Sequence, residues 1–186
     1  MKNKKITVLL VLMSIAGSLF AQDKYFTKTG RIEFYSQATV ENITAKNKTV
    51  TAVLDTKTGG LQFSVPMKGF EFEKALMQQH FNENYIESDK YPKGEFRGTI
   101  TNNSSIGYGK DGSYPATVKG KMSIHGVTQD VEATGTIKVQ DGKLQLNSVF
   151  NLQLSDYHIS IPAIVKDHIS NTVKITVDCI LEQVKG

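Results

Sequence analysis

The sequence predicts an all-β protein, an antiparallel sheet curled around its own core with one short helix. Three observations predict it. Apolar and polar residues alternate with a period of two over most of the chain, the spacing of a strand with one buried face. Turn dipeptides separate the alternating runs, so successive strands are neighbours in the sheet. The rhythm breaks once, over residues 74–85, where the apolar spacing becomes helical.

The chain opens on a separate segment, residues 1–21. Lys2, Lys4 and Lys5 precede an almost wholly apolar run over residues 6–13, and small and apolar residues follow as far as Ala21. This is the layout of a secretory signal peptide, with cleavage expected near Ala21 and residues 22–186 forming one domain. The apolar run is short for a spanning helix, which takes about 20 residues. No cysteine lies near the cut, so a lipid anchor of the lipoprotein kind cannot form there. The expected location is periplasmic or secreted.

In the domain, Ile32 and Phe34 alternate with Arg31, Glu33 and Tyr35. Residues 44–56 are β-branched, but the phase of their alternation is ambiguous. Leu61, Phe63, Val65 and Met67 share a face, and Pro66 among them marks an edge, a bulge or a strand end. Over residues 74–85, Leu76, Met77, His80 and Phe81 fall one turn apart on one side of a helix. Tyr91-Pro92 and Lys93-Gly94 end that excursion. Phe96, Gly98 and Ile100 then share a face, as do Gly120, Met122 and Ile124. Val131, Ala133, Gly135, Ile137 and Val139 form the next apolar face. Asp141-Gly142 joins it by a tight hairpin to Leu144, Leu146, Ser148, Phe150, Leu152 and Leu154. Val173, Ile175, Val177, Cys179 and Leu181 make the last face. Gly59-Gly60 is a second hairpin signal, and Asp111-Gly112 sits in a looser loop.

Composition narrows the function. The 186 residues carry 22 Lys+Arg against 18 Asp+Glu, a formal +4, and three of those lysines precede the expected cut. The remaining domain is nearly neutral, which argues against nucleic acid or an anionic membrane as partner. With 39% hydrophobic and 22% charged residues the chain is neither disordered nor a disulfide scaffold. Cys179 is the single cysteine, so stability rests on apolar burial; a domain of this size buries roughly 70% of its unfolded surface. On an apolar strand face Cys179 is expected to be a small buried hydrophobe.

Catalytic chemistry has no local signature. His80, His125, His158 and His168 form no short-spaced ligand pair, so no metal site is expected. No GxSxG, phosphate loop or dinucleotide fingerprint occurs, so no cofactor is expected. The one enzymatic alternative uses Asp156, His158, Asp167 and His168, which cluster late in the chain. Asn42-Ile43-Thr44 and Asn47-Lys48-Thr49 match the glycosylation acceptor pattern and are read as polar turn or strand residues.

What remains is a set of large apolar residues, Phe63, Met67, Phe70, Phe72, Leu76, Met77 and Phe81, close together in sequence. They fit a solid core under a helix. They fit equally a hollow barrel that takes a long apolar ligand, since an eight-stranded barrel is wide enough for one small molecule.

A family resemblance bears on that choice. Residues 76–85, Leu-Met-Gln-Gln-His-Phe-Asn-Glu-Asn-Tyr, are followed by Glu87-Ser88, Tyr91-Pro92 and Phe96. Residues 118–128, Val-Lys-Gly-Lys-Met-Ser-Ile-His-Gly-Val-Thr, form a second match, and Phe150 through Asp156-Tyr157-His158-Ile159 a third. Together these resemble the YceI-like family of exported bacterial proteins over essentially the whole domain. Leu154-Ser155 stands where that family commonly has Arg-Ser or Arg-Thr. The resemblance implies an eight-stranded, lipocalin-like antiparallel barrel with the short helix covering one opening. It implies a polyisoprenoid or similar amphiphilic lipid, such as a quinone, bound inside, and no enzyme activity.

The residues expected to line the ligand are Phe34, Phe63, Val65, Phe70, Phe72, Met77, Phe81, Phe96, Met122, Ile124, Phe150 and Leu152. Phe and Met give a flexible chain contact area with adaptable shape. His80 is expected to cap or pack rather than to touch a head group. Nucleic acid is not an expected partner, nor is stable membrane insertion; a homodimer is left open. A barrel inserted in the outer membrane would also alternate, with its apolar face outward. The helix and the charged second faces favour a soluble barrel.

Overall fold

The computed structural model describes residues 23–184; the expected signal segment and its cut near Ala21 lie outside them. Among the described residues, nine strands form one antiparallel sheet. They are β1 (Lys24–Gln37), β2 (Asn42–Asp55), β3 (Gly60–Pro66), β4 (Phe70–Phe72), β5 (Lys93–Ile100), β6 (Gly112–Ile124), β7 (Val127–Gln140), β8 (Lys143–Gln153) and β9 (Thr172–Gln183). Neighbours run in the order β1-β9-β8-β7-β6-β5-β3-β2, and β1 pairs again with β2, so eight strands close into a barrel. The ninth, β4, pairs with β2 below β3. Thus β3 and β4 are one barrel stave interrupted at Pro66, where proline cannot donate to the ladder.

Asn47 holds that interruption. It is fully buried. Its Nδ2 donates to the Pro66 carbonyl at 2.7 Å, and its Oδ1 accepts from the Thr49 amide and hydroxyl at 2.9 Å each. The second acceptor-pattern asparagine, Asn42, opens β2, so both lie in strand as expected. The ambiguous phase of β2 also has a cause. Its buried residues are Ala45 and Asn47, then Val50, Ala52 and Leu54. The parity flips where the β1–β2 register shifts on either side of Gly30, because a bulge moves later side chains to the other face.

The hairpin signals hold with one adjustment. Asp141 and Gly142 both have positive φ, 51° and 72°, as a tight two-residue turn requires. His125 and Gly126 do the same between β6 and β7. At the second signal only Gly59 turns left-handed, and Gly60 already belongs to β3.

The helix is shorter than its sequence signal. α1 covers Ala75–His80 and passes into a π-helical turn at Phe81–Tyr85, in which the Ile86 amide donates to the Phe81 carbonyl at 2.9 Å. Gln78 anchors it by accepting the Phe72 amide, and Lys74 at its start pairs with Glu41. The face read from the sequence is corrected. Leu76 and His80 are exposed; Met77, Phe81 and Tyr85 are half-buried, one turn apart on the adjoining stripe. His80 therefore neither caps nor packs.

The apolar strand faces point into the barrel and the charged faces outward. Lys119 and Glu132 pair across β6 and β7 at 3.0 Å, and Lys121 and Asp130 at 2.9 Å. This is the reverse of a membrane-spanning barrel.

Candidate functional site

Apolar burial concentrates at the two ends of the barrel and leaves its middle hollow. At the end carrying the Asp141-Gly142 hairpin, Leu54, Leu144, Leu181 and Cys179 are fully buried and Ile106 packs onto them. Tyr108 closes the same end, its hydroxyl donating to Asn103 Oδ1 at 2.7 Å, and burial pushes its pKa up to about 12. Cys179 is the small hydrophobe expected: burial pushes its thiol up to about 12, against a weaker opposing effect of the Arg31 carbonyl.

The opposite end is sealed by aromatic rings. Phe34 lies 5.5 Å from Phe70, 5.6 Å from Phe72 and 5.7 Å from Phe81, centroid to centroid. Phe81 in turn lies 5.6 Å from Phe70 and 5.1 Å from Phe72. Such pairs contribute about 0.5–1.5 kcal/mol each beyond the area they bury. Met67, Ile86, Leu152, Tyr157 and Ile159 complete this layer.

Between the ends lies a lumen of about 430 Å³, within the roughly 300–1,000 Å³ usual for ligand pockets. Of the residues expected to line a ligand, Phe63, Val65, Phe70, Phe96, Met122, Ile124, Phe150 and Leu152 line this space. Phe34, Phe72 and Phe81 stand outside it, in the aromatic seal, and half-buried Met77 also lies off its wall. Sequence reasoning favoured Phe and Met and passed over aliphatic residues on the same faces. Ile32, Leu61, Ala116, Val118, Ile175 and Val177 also form the wall. Their parity was the available signal.

The wall is not continuous. β7 and β8 pair only from Gly135↔Ser148 to Gln140↔Lys143. Past Gly135 the two strands part, and residues 127–134 of β7 and 149–153 of β8 face one another across a slot. The Ser148 hydroxyl donates to the Thr134 carbonyl at 2.7 Å where the pairing stops. At the far end the Gln129 amide donates to the Asp156 carbonyl at 2.7 Å. Beside it His125 Nδ1 lies 3.2 Å from the Tyr157 carbonyl and Nε2 lies 2.8 Å from Glu87 Oε2. The lumen reaches into this slot. Consecutive residues of β7, from Gln129 to Ile137, border it, inward and outward side chains alike.

Asp156 and His158 of the enzymatic alternative open on different spaces. Asp156 borders the slot, while His158 lines a separate, exposed cleft of about 1100 Å³ between the β1–β2 and β8–β9 loops. Asp167 contributes its carbonyl to the Val40 amide at 2.9 Å. Among the described residues no three His, Cys, Asp or Glu side chains are grouped to hold a metal ion. The exposed cleft mixes polar and apolar walls; the lumen is the space whose chemistry is one-sided.

Comparison with solved structures places the fold. A polyisoprenoid binding domain from Saccharophagus degradans, implicated in plant cell wall breakdown, superposes with a TM-score of 0.75 at 13% identity, covering 87% of this chain and 99% of that one. BcnA of Burkholderia cenocepacia gives 0.66 at 14% identity, covering 81% and 95%. A YCEI protein of Campylobacter jejuni gives 0.58 at 17% identity, covering 75% and 84%. Comparison with curated proteins gives no match. The barrel closure, the helix over one end and a family model matching residues 24–181 agree: the chain belongs to the YceI-like domain family.

Proposed function

We propose that this protein binds a polyisoprenoid or similar amphiphilic lipid, a quinone among the candidates, inside the barrel, and sequesters or carries it in the periplasm. The observation that carries this reading is the lumen of about 430 Å³ walled by Phe63, Val65, Phe96, Met122, Phe150 and their neighbours. An apolar chain in water loses about 25 cal/mol for every Å² it keeps exposed. A lumen with such walls removes that exposure. The polyisoprenoid binding of the Saccharophagus degradans domain supports the ligand class. The basic, then apolar, then small-residue start of the chain supports export. The apolar walls support binding as the role of the lumen.

The test is organic extraction of the protein purified from the periplasmic fraction, with mass spectrometry of the extract. A co-purified isoprenoid lipid, or stoichiometric uptake of added farnesol, is the expected result. Extracts empty of lipid together with no uptake would overturn the reading, and recovery of the mature protein from the cytoplasm would overturn the location.

A further inference from the structure

Three exposed aliphatic side chains crown the α1 end of the barrel. Ile164 is 90% exposed, Val40 62% and Leu76 61%. They belong to three separate segments: the turn Ala163–Val165 between β8 and β9, the β1–β2 loop and the start of α1. Hydrogen bonds and an ion pair hold these segments side by side. The Val40 amide donates to the Asp167 carbonyl at 2.9 Å, and Glu41 pairs with Lys74, two residues before Leu76. Ala75, Pro162 and Ala163 are exposed beside them. Among the described residues, the other large exposed aliphatics stand elsewhere: Val149 and Ile180 on the outer wall, and Val184 after β9 at the opposite end. Single exposed aliphatics are ordinary, but three gathered at one end mark a contact surface. This crown adjoins the lumen. α1 runs directly into Phe81 of the aromatic seal, and the unpaired stretch of β7 and β8 runs toward the same end, as far as Gln129 and Asp156.

Area and charge identify the occupant. A stable protein interface covers roughly 800 Å² per partner around a packed core. Three aliphatics on projecting turns, without an aromatic anchor, do not supply that core. A lipid surface asks for less, since apolar tips enter the acyl boundary while polar neighbours stay among the head groups. The charges beside the crown are of both signs, Glu41, Glu73 and Asp167 against Lys74, Lys166 and His168. Such a mixture gives an anionic membrane no electrostatic advantage and suits a zwitterionic one.

Resting on the reading of the lumen as a lipid site, we propose that Val40, Leu76 and Ile164 dock the protein reversibly on a zwitterionic phospholipid surface, with the α1 end facing the bilayer from which the ligand is drawn. Only loop tips enter the lipid, so the barrel itself stays in water and the contact is readily broken.

The test sediments the protein, purified from the periplasmic fraction, with sucrose-loaded vesicles of dioleoylphosphatidylcholine. Wild type is expected to partition onto them, and the triple variant Val40→Ser, Leu76→Gln, Ile164→Ser to partition at least about tenfold more weakly. The wall variant Val149→Ser, Ile180→Ser is the control and is expected to partition as wild type does. Sodium chloride at about 0.5 M, which screens exposed charges, is expected to leave partitioning unchanged. No partitioning of wild type, an equal loss in the wall variant, or release by salt would overturn the lipid surface. Dimers of wild type that the triple variant abolishes would overturn it too, giving the patch to a second copy. Farnesol uptake then separates docking from the lumen. From solution, without vesicles, the triple variant is expected to match wild type; from farnesol-loaded vesicles its uptake should be slower by the same factor as its partitioning is weaker. Equal rates from vesicles would overturn docking as the route to the ligand. Failure of wild type to take up farnesol from solution would instead remove the lumen reading, with the vesicle partitioning judged on its own.

Discussion

Gly135 and Ser148 are the last paired residues of β7 and β8, and the barrel wall opens immediately beyond them. The pairing there is close. A Cβ built on Gly135 would lie 2.2 Å from the Asn147 carbonyl oxygen. The absence of a side chain lets the strands meet at this point and then diverge. Gly135→Val is therefore expected to loosen the fork. A loss of about 1–3 kcal/mol, the usual cost of overpacking, should appear as a lower urea midpoint. An unchanged midpoint would show that the fork tolerates the added bulk.

A second close approach ties β1 to β9. A Cβ on Gly30 would lie 2.5 Å from Cys179 Sγ. Gly30→Ala is expected to cost about 1–3 kcal/mol by the same mechanism. Combining it with Cys179→Ala removes the clashing sulfur, so the double variant should be more stable than the sum of the two single losses predicts. Strict additivity in a denaturation series would place the Gly30 requirement in the bulge backbone instead.

Alkaline stability should fall in a defined window. The Cys179 thiol rises from an ordinary 9.0 to about 12, and the Tyr108 phenol from 10.0 to about 12, both through burial of a group that prefers to stay neutral. Between about pH 9 and 12 the unfolded chain releases these protons before the folded one does. The folded state then holds more protons, and the unfolding free energy declines as pH rises. Below pH 9 their contribution is fully present. Urea midpoints should be level up to pH 9 and drop above it, with Cys179→Ala flattening the first part of the drop. An equally steep decline in that variant would assign the effect to other groups.

Filling the lumen from the slot side should block the ligand and spare the fold. Val131 is half-buried and faces the lumen where β7 has left β8. Val131→Phe is expected to lower farnesol uptake about tenfold, with circular dichroism and midpoint close to wild type. Uptake at the wild-type level would mean that the ligand does not occupy this part of the barrel.

The aromatic seal should matter for stability more than for ligand contact. Phe81→Ala removes a ring that touches Phe34, Phe70 and Phe72. Full burial of such a ring would make truncation cost about 3–5 kcal/mol; Phe81 is half-buried, so about 1–3 kcal/mol is expected from thermal melts. If affinity for farnesol falls tenfold while stability is unchanged, Phe81 belongs to the site after all.

Much of this was legible in the residues, for definite reasons. Alternation marked β3, β5, β7, β8 and β9 and parts of β1 and β6, and Asp141-Gly142 marked its hairpin, because both signals are local. The phase of β2 was not legible: the bulge opposite Gly30 depends on a partner strand distant in sequence. The helix face was misjudged by one stripe, since Leu76 is as apolar as Met77 and nothing local says which turns inward. Phe34, Phe72 and Phe81 have the composition of lumen walls but seal an end, a distinction of height along the barrel that periodicity does not encode. The slot left no trace at all. Residues 127–134 and 149–153 keep alternating through it, because alternation reports which face a side chain takes and not whether the next strand is bonded.

The parted strands also expose the molecule to its own copies. Main-chain amides and carbonyls along the slot are unmatched by a sheet neighbour, and an open border of that kind is where a foreign strand can add itself and seed a fibril. Asp130 and Glu132 stand on the outer face of this border. Together with their partners Lys119 and Lys121 they put charge on that border, and charged side chains are what blunt edge-to-edge addition.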